Sequence, residues 1–337
     1  MNLFELTRRL IDIESVTPNE GEVGNYLFQL LSDLAAKHGG QAERMPVEPG
    51  RENVFVRFGT PIVTLSTHMD TVPPFFPSSE DHRQISGRGA CDTKGIIAAM
   101  ITAAERLLQK GQKNFGLLFV VGEERNSAGA YVAARNPCGS RFLINGEPTE
   151  NQLALGSKGA LRHEVIARGK MAHSAYPELG DSAIIRLLDA LQRIREIRLP
   201  IDDVLGASTL NIGTISGGRA PNVVPDEARA ETFIRVVGDI EQTRIDVQTA
   251  AQPDCEAREV LFIPAVRLGS LTGMRTTVVA FTTDIPAFDN TWGQPFLIGP
   301  GSIHVAHTPG EFIPKDQLLE AVHIYEQMVL RLLEGQL

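Results

Sequence analysis

The sequence has only three cysteines, Cys91, Cys138 and Cys255, scattered and with no CxxC pair. Neither a disulfide framework nor a thiolate zinc site can be built from them, so any metal must rely on His, Asp and Glu. No apolar run approaches the ~18 residues of a membrane span. From Met1 to Ser15 the charged residues Glu5, Arg8, Arg9, Asp12 and Glu14 interrupt the apolar positions, which breaks a signal-peptide core and reads as an amphipathic helix. A cytoplasmic location without membrane contact is therefore expected. Basic clusters are missing as well, and 32 Lys and Arg against 41 Asp and Glu give a formal net charge of -9. Phosphate binding needs a basic surface, so nucleic acid is not an expected partner. Internal repeats and low-complexity stretches are also absent.

What is there is the composition of an ordinary globular protein, 42% hydrophobic and 22% charged over 337 residues, a length that suits one large domain and a smaller one. Thr17-Pro18-Asn19-Glu20 offers a cap, a proline at the first helical position and a capping-box glutamate, ahead of a helix to about Lys37 closed by Gly39-Gly40. Short β-rich runs follow at Asn53 to Phe58 and Pro61 to Ser66, then an alanine-rich helix from about Lys94 to Gln109 and a further run at Phe115 to Val121. Arg141 to Ile144, Thr276 to Phe281 and Pro295 to Ile298 continue this grammar, with a closing helix from about Lys315 to Leu333. The middle differs. Leu161 to Arg168, Ser208 to Ser216, Ala228 to Val237 and Glu256 to Ile263 alternate like strands with one open face, and Asp181 to Ile197 is spaced like a helix. The expectation is an α/β catalytic domain of residues 1–157 and 269–337, interrupted by an α+β domain of residues 158–268.

Five potential ligand groups stand directly after β runs. His68 and Asp70, two apart, point to one side; alone they could be a polar turn. Asp92 precedes the alanine-rich helix and could be a plain N-cap. Glu123 and Glu124 follow Phe115 to Val121 as a solvated loop, or as a base beside a metal ligand. Glu147 lies in the turn-like Asn145-Gly146-Glu147-Pro148, and His304 and His307 follow Gly299-Pro300-Gly301-Ser302. Unrelated surface carboxylates have no reason to collect at strand ends, whereas a site at the carboxyl edge of one sheet requires it. Two histidines with several carboxylates form the inventory of a two-metal hydrolase, in which cations ~3.5 to 4 Å apart activate a shared water.

These motifs carry a family resemblance across nearly the whole chain. S-x-H-x-D-x-V-P (Ser66 to Pro73), G-R-G-x-x-D-x-K-G (Gly87 to Gly95), G-E-E (Gly122 to Glu124), G-E-P-T (Gly146 to Thr149) and G-P-G-S…A-H-x-P-x-E (Gly299 to Glu311) resemble, in order, those of the M20 metallopeptidases and N-acyl amino-acid deacylases. The resemblance implies a di-zinc aminopeptidase-like catalytic domain with a mixed sheet flanked by helices, and an inserted ferredoxin-like domain. It implies that Asp92 bridges two divalent metals, zinc with cobalt or manganese as alternatives. His68 and Glu147 would complete one site, Glu124 and His307 the other, with Asp70 supporting His68 and Glu123 as general base. His304 stays open on spacing alone, although A-H-x-P-x-E favours His307. In the insert, Gly169 to Pro177 resembles the family's G-x-x-A-H-S-A-x-P stretch, which gives His173 an oxyanion role beside the bland reading of a helix-capping loop histidine. Gly217 to Pro225 and Arg235 resemble the substrate-meeting portion, with Asn222, Gly301 and Ser302 as further substrate contacts; Arg235 could equally be a surface salt bridge.

The branch most similar is that of acetylornithine deacetylase and succinyl-diaminopimelate desuccinylase, because aspartate usually replaces the glutamate of Glu147 among the carboxypeptidases. The expected activity is hydrolysis of an N-acyl amino acid. A dipeptidase or carboxypeptidase is the alternative, and a ligand-binding member without catalysis is the alternative of another class. The small-molecule partner would be an N-acyl amino acid or dipeptide. A homodimer through the inserted domain is left open, since the insert is short for the family.

Overall fold

The apolar runs, joined by the solvent-facing strand Gln41–Glu48, become one six-stranded mixed sheet in a computed structural model that describes residues 2–336. Met1, where the first helix was expected to start, and Leu337 lie outside the described residues. By compactness the chain divides into two units, Met1–Leu155 with Leu268–Thr277 and Thr283–Leu337, and Gly156–Arg267 with Val278–Thr282.

In the first unit the strand order is Gln41–Glu48, Arg51–Phe58, Phe115–Val120, Val63–His68, Phe142–Asn145 and Gln294–Leu297. The first two run antiparallel to their neighbours and the last four are parallel to one another. Every residue of Phe115–Val120, Val63–His68 and Phe142–Asn145 is buried, as parallel strands covered on both faces must be. Side chains alternate between two cores, following the period of two along a strand. Phe115, Leu117 and Phe119 join the helices Leu3–Ile11, Gly21–His38, Gly95–Gln109 and Lys315–Leu333. Leu118 and Val120 join Phe55, Phe288 and Trp292 with the helix Ala128–Arg135. The consequence for function is one sheet edge, where Val63–His68, Phe115–Val120 and Phe142–Asn145 all end in parallel.

The second unit carries a four-stranded antiparallel sheet, Thr209–Gly217, Glu227–Val236, Gly159–Arg168 and Cys255–Ile263 in that order. Residues of the helix Ala183–Arg195 pack with Val165, Ala167, Ala228 and Ala230, and Val247 of the helix Ile240–Ala251 packs with Leu161 and Ile234. The alternating burial of Glu227–Val236 leaves the opposite face to solvent.

Several local expectations are corrected. The second helix begins at Gly21 rather than at Pro18, with no side-chain cap. Thr17 and Glu20 are drawn away by tertiary partners, the Thr17 hydroxyl donating to Asp70 and the Glu20 carboxylate accepting from Arg51. Asp92 is not an N-cap: it sits within a π-helical turn, Ala90–Lys94, with non-helical φ -126 and ψ 84. The strand Gln41–Glu48 was not foreseen, because its Arg44, Pro46 and charged flanks lack a β signature. The helices Ala128–Arg135 and Ile240–Ala251 were missed as well, the latter having only Thr243, Val247 and Ala251 buried. No helix among the described residues is long and apolar enough to cross a membrane.

Candidate metal centre

His68 is the last residue of its strand, and its Nε2 lies 2.9 Å from Asp92 Oδ1. The other ring nitrogen, Nδ1, is 3.0 Å from the backbone oxygen of Asp70 and 3.4 Å from its Oδ1. Asp92 Oδ2 lies 3.2 Å from His307 Nε2, and that same nitrogen is 3.0 Å from Glu124 Oε1. Asp92 thus stands between two imidazoles with one oxygen toward each. Potential ligand atoms of His68, Asp92 and Glu124 all lie within 4.8 Å of one another. Two donors ~2.0 to 2.2 Å from a tetrahedral zinc are about 3.4 Å apart, so these contacts require only a small opening to admit an ion.

The three parallel strand ends bring these groups together. Gly146 N–H donates to Ser66 O and Thr67 Oγ1 donates to Gly146 O, both at 2.8 Å, which ties the turn carrying the buried Glu147 to the strand carrying His68. The Glu123–Glu124 turn is held by Asp70, whose Oδ1 accepts from the Gly122 and Glu123 amides at 3.0 and 3.1 Å and whose Oδ2 accepts from Glu124 N–H at 3.1 Å and Thr17 Oγ1 at 2.7 Å. Gly122 allows this turn: its φ is 83, and an added Cβ would sit 3.0 Å from Arg51 Nη2. The motifs pointed to Asp70 as a support for His68. Its backbone oxygen lies against the imidazole, while its carboxylate organises the neighbouring turn.

Electrostatics mark the same place. Burial pushes the carboxyls of Glu123 and Glu147 well above the usual range, and burial together with Asp92 raises Glu124. Burial would raise Asp92 too, but hydrogen bonds from His307 and His68 carry it below the carboxylate range. Burial opposes the His68 imidazolium, yet Asp70 and Asp92 outweigh it and raise the group; hydrogen bonds to Asp92 and Glu124 raise His307 to about 10. More negative charge is gathered than two imidazoles neutralise. A nitrogen and oxygen donor set of this kind, without sulfur, fits a pair of divalent cations such as zinc, cobalt or manganese.

His307 and His304, equivalent by spacing and both exposed, are separated by their contacts: His307 reaches Asp92 and Glu124, while His304 is bonded to neither among the described residues. His307 has φ 63, a left-handed conformation uncommon outside glycine that often accompanies functional positions. Gly301 has φ 86 and packs against Cys91, and Ser302 Oγ donates to Glu150 at 2.8 Å. In the second unit, Ala172–His173 pairs with Val223–Val224, and Ser174 N–H donates to Asn222 O at 3.0 Å, so His173 and Asn222 stand on adjoining segments. Arg235 stacks on Phe233 at 4.7 Å and its buried Nη1 has no hydrogen-bond partner.

One acid escaped the sequence reading. Asp284 is 1% exposed, neither carboxylate oxygen has a hydrogen-bond partner, and burial, aided by the nearby negative charges of Asp70 and Glu124, pushes it up to about 7. Its signal was available, since Thr283-Asp284 follows the Thr276–Val279 strand as the other acids follow theirs.

Carboxylates and imidazoles gathered at the parallel edge of this α/β fold define a metallopeptidase-type hydrolase. The chain belongs to peptidase family M20/M25/M40, whose model matches residues 64–331. It is 39% identical to a peptidase M20 domain-containing protein of Schizosaccharomyces pombe, over 98% of this chain and 84% of that one. It is 35% identical to a probable carboxypeptidase of Aspergillus fumigatus, over 97% and 86%. Its fold is similar to that of aminopeptidase PepT from Bacillus cereus, with a TM-score of 0.83 at 18% identity over 98% of each chain.

Proposed function

We propose that the protein hydrolyses an amide bond adjacent to a free carboxylate, in a dipeptide or other short peptide or in an N-acyl amino acid, with Glu123 as general base. The observation that carries this reading is the Glu123–Glu124 turn. One carboxylate, Glu124, faces His307 in the cluster, while its neighbour Glu123 makes no carboxylate hydrogen bond among the described residues and has a raised pKa. A carboxylate left unengaged beside the candidate ligands, and raised above the ordinary carboxylate range, suits proton transfer.

Asp92, His68, Glu147, Glu124 and His307 would hold two divalent cations. When bound, these supply Lewis acidity toward the scissile carbonyl and make a water molecule acidic. Glu123 takes the proton from water as the new C–O bond forms and then gives it to the amine nitrogen as the amide C–N bond breaks. Asp70 fixes Glu123 and Glu124 through three backbone amides. Arg235, with its unpaired guanidinium nitrogen, is the candidate receiver of a substrate carboxylate.

The relatives named above favour peptides as substrates, in line with a dipeptidase or carboxypeptidase. A second reading, removal of an acetyl or succinyl group from an amino acid, is favoured by glutamate rather than aspartate at Glu147. The deciding experiment loads the protein with zinc or cobalt and measures cleavage of dipeptides, tripeptides and N-acetyl and N-succinyl amino acids, with Glu123→Ala as control. Cleavage of peptides alone selects the peptidase reading, and cleavage of acyl amino acids alone selects the deacylase reading. No Glu123-dependent cleavage of either class would defeat both in favour of a ligand-binding protein.

A further inference from the structure

Arg88 and Glu311 lie 223 residues apart in sequence, yet they form a fully buried ion pair, Arg88 Nη1 to Glu311 Oε2 at 2.6 Å, with each residue 1% exposed. Such a pair is weak support for stability, since apolar residues of similar volume often replace one at no cost. Here the carboxylate has further partners that an apolar replacement could not serve. Its Oε1 accepts from the backbone N–H groups of Cys91 and Asp92, each at 3.1 Å. Those amides lie in the π-helical turn that departs from helical geometry at Asp92, where no preceding helical carbonyl satisfies them.

The guanidinium is fixed from its other side. Arg88 Nε donates to Pro74 O at 3.2 Å and the group stacks on Phe76 at 5.0 Å. Backbone pairing sets the register: Phe312–Pro314 runs antiparallel to Gln84–Ser86, and Gly87 N–H donates to Glu311 O at 3.1 Å. Glu311 follows His307 by four residues, and its two amides belong to Asp92 and the residue before it. The segment carrying His307 is thereby fastened to the segment carrying the carboxylate that His307 meets.

We propose that Glu311, held by Arg88, is a positioning residue of the metal centre: it clamps the Cys91 and Asp92 amides and fixes the bridging aspartate relative to His307 before any cation arrives. This rests on the metal reading of the site given above. Neither residue touches substrate or cation. The clamp acts through backbone, and because Arg88 neutralises Glu311 it adds no net charge to an acid-rich centre.

The test compares the unmodified protein with Glu311→Ala and with the double variant Arg88→Met, Glu311→Leu, which removes both charges together and with them the acceptor for the two amides. Zinc affinity is measured by competition with a chromogenic chelator, melting of the metal-free protein is followed by circular dichroism, and kcat and KM are obtained on whichever substrate the unmodified protein cleaves. The double variant is expected to melt close to the unmodified metal-free protein but to bind zinc ~10- to 100-fold more weakly, with kcat lowered and KM nearly unchanged. Glu311→Ala should lose more affinity than the double variant. A folded double variant with unmodified zinc affinity and kcat would overturn the proposal, as would loss of the metal-free fold in both variants, which would make the pair purely structural. Failure of the unmodified protein to bind zinc, cobalt or manganese would instead defeat the metal reading itself, and is seen before any variant is made.

Discussion

The two units use the same side chains in opposite ways. On the open sheet face of the second unit, Arg162 pairs with Glu231 at 2.8 Å and Arg229 with Glu164 at 3.3 Å, in water-exposed surroundings. At the sheet edge of the first unit, Glu123, Glu124, Glu147 and Asp92 are gathered around His68 and His307 with no arginine or lysine bonded to any of them among the described residues. Exposed pairs form wherever charges meet on a solvated surface and contribute little. A collection of buried acids without a matching cation is expensive, and a fold keeps one only where something else, here a candidate pair of metal ions, completes it.

The comparison can be broken most sharply at Glu123. Glu123→Ala should lower kcat by ~10²- to 10⁴-fold while metal content stays at that of the unmodified protein, measured by atomic emission; activity that survives would return Glu123 to the solvated-loop reading. Asp92→Ala should abolish binding of both cations together, whereas loss of one alone would remove its bridging role. Arg235→Ala should raise KM for carboxylate-bearing substrates by ~10- to 100-fold, the loss of one charge-assisted contact worth about 1.5 to 3 kcal/mol. An unchanged KM would place Arg235 with the surface charges.

Metal removal sharpens the contrast through pH. In the metal-free fold His307 is raised to about 10 from 6.5, so its contribution to stability is complete below 6.5 and is lost as pH rises through about 10. Glu123 and Glu147, raised by burial, act in the same direction, because the unfolded chain releases their protons at lower pH. Melting of chelator-treated protein should therefore worsen from roughly pH 6.5 towards 10, and a zinc-loaded sample should worsen less over that window. The smallest effect belongs to the open face: Arg229→Ala should cost under ~1 kcal/mol by urea denaturation and leave turnover alone.

Much of this was legible because the signals were local or repeated. The run Phe115–Val120 is apolar throughout, Val63–His68 is rich in β-branched residues, and the acids behind them announce a shared edge. Gly39 closes its helix in the left-handed conformation that its position suggested. What escaped was set by distant partners. Thr17 resembles a cap until Asp70, 53 residues away, claims its hydroxyl. Asp284, although it too follows a strand, takes its meaning from the distant acids that surround it. The strand Gln41–Glu48 is made by its pairing with Arg51–Phe58, which a sequence window does not display.

The parallel pairing of Gln294–Leu297 with Phe142–Asn145 has a consequence for biosynthesis. During translation Phe142–Asn145 emerges some 150 residues before its outer neighbour, and at an ordinary elongation rate of ~5 to 20 residues per second that edge stays uncovered for about 8 to 30 s. An apolar strand with unpaired backbone groups is then open to pairing with other chains. The intervening segment has time to fold as a unit of its own in that interval, while the sheet of the first unit waits for its last strand and His307 follows ten residues later still. The growing chain thus has no complete set of candidate ligands until synthesis is nearly over, and passes through its most aggregation-prone stage before it can be a hydrolase.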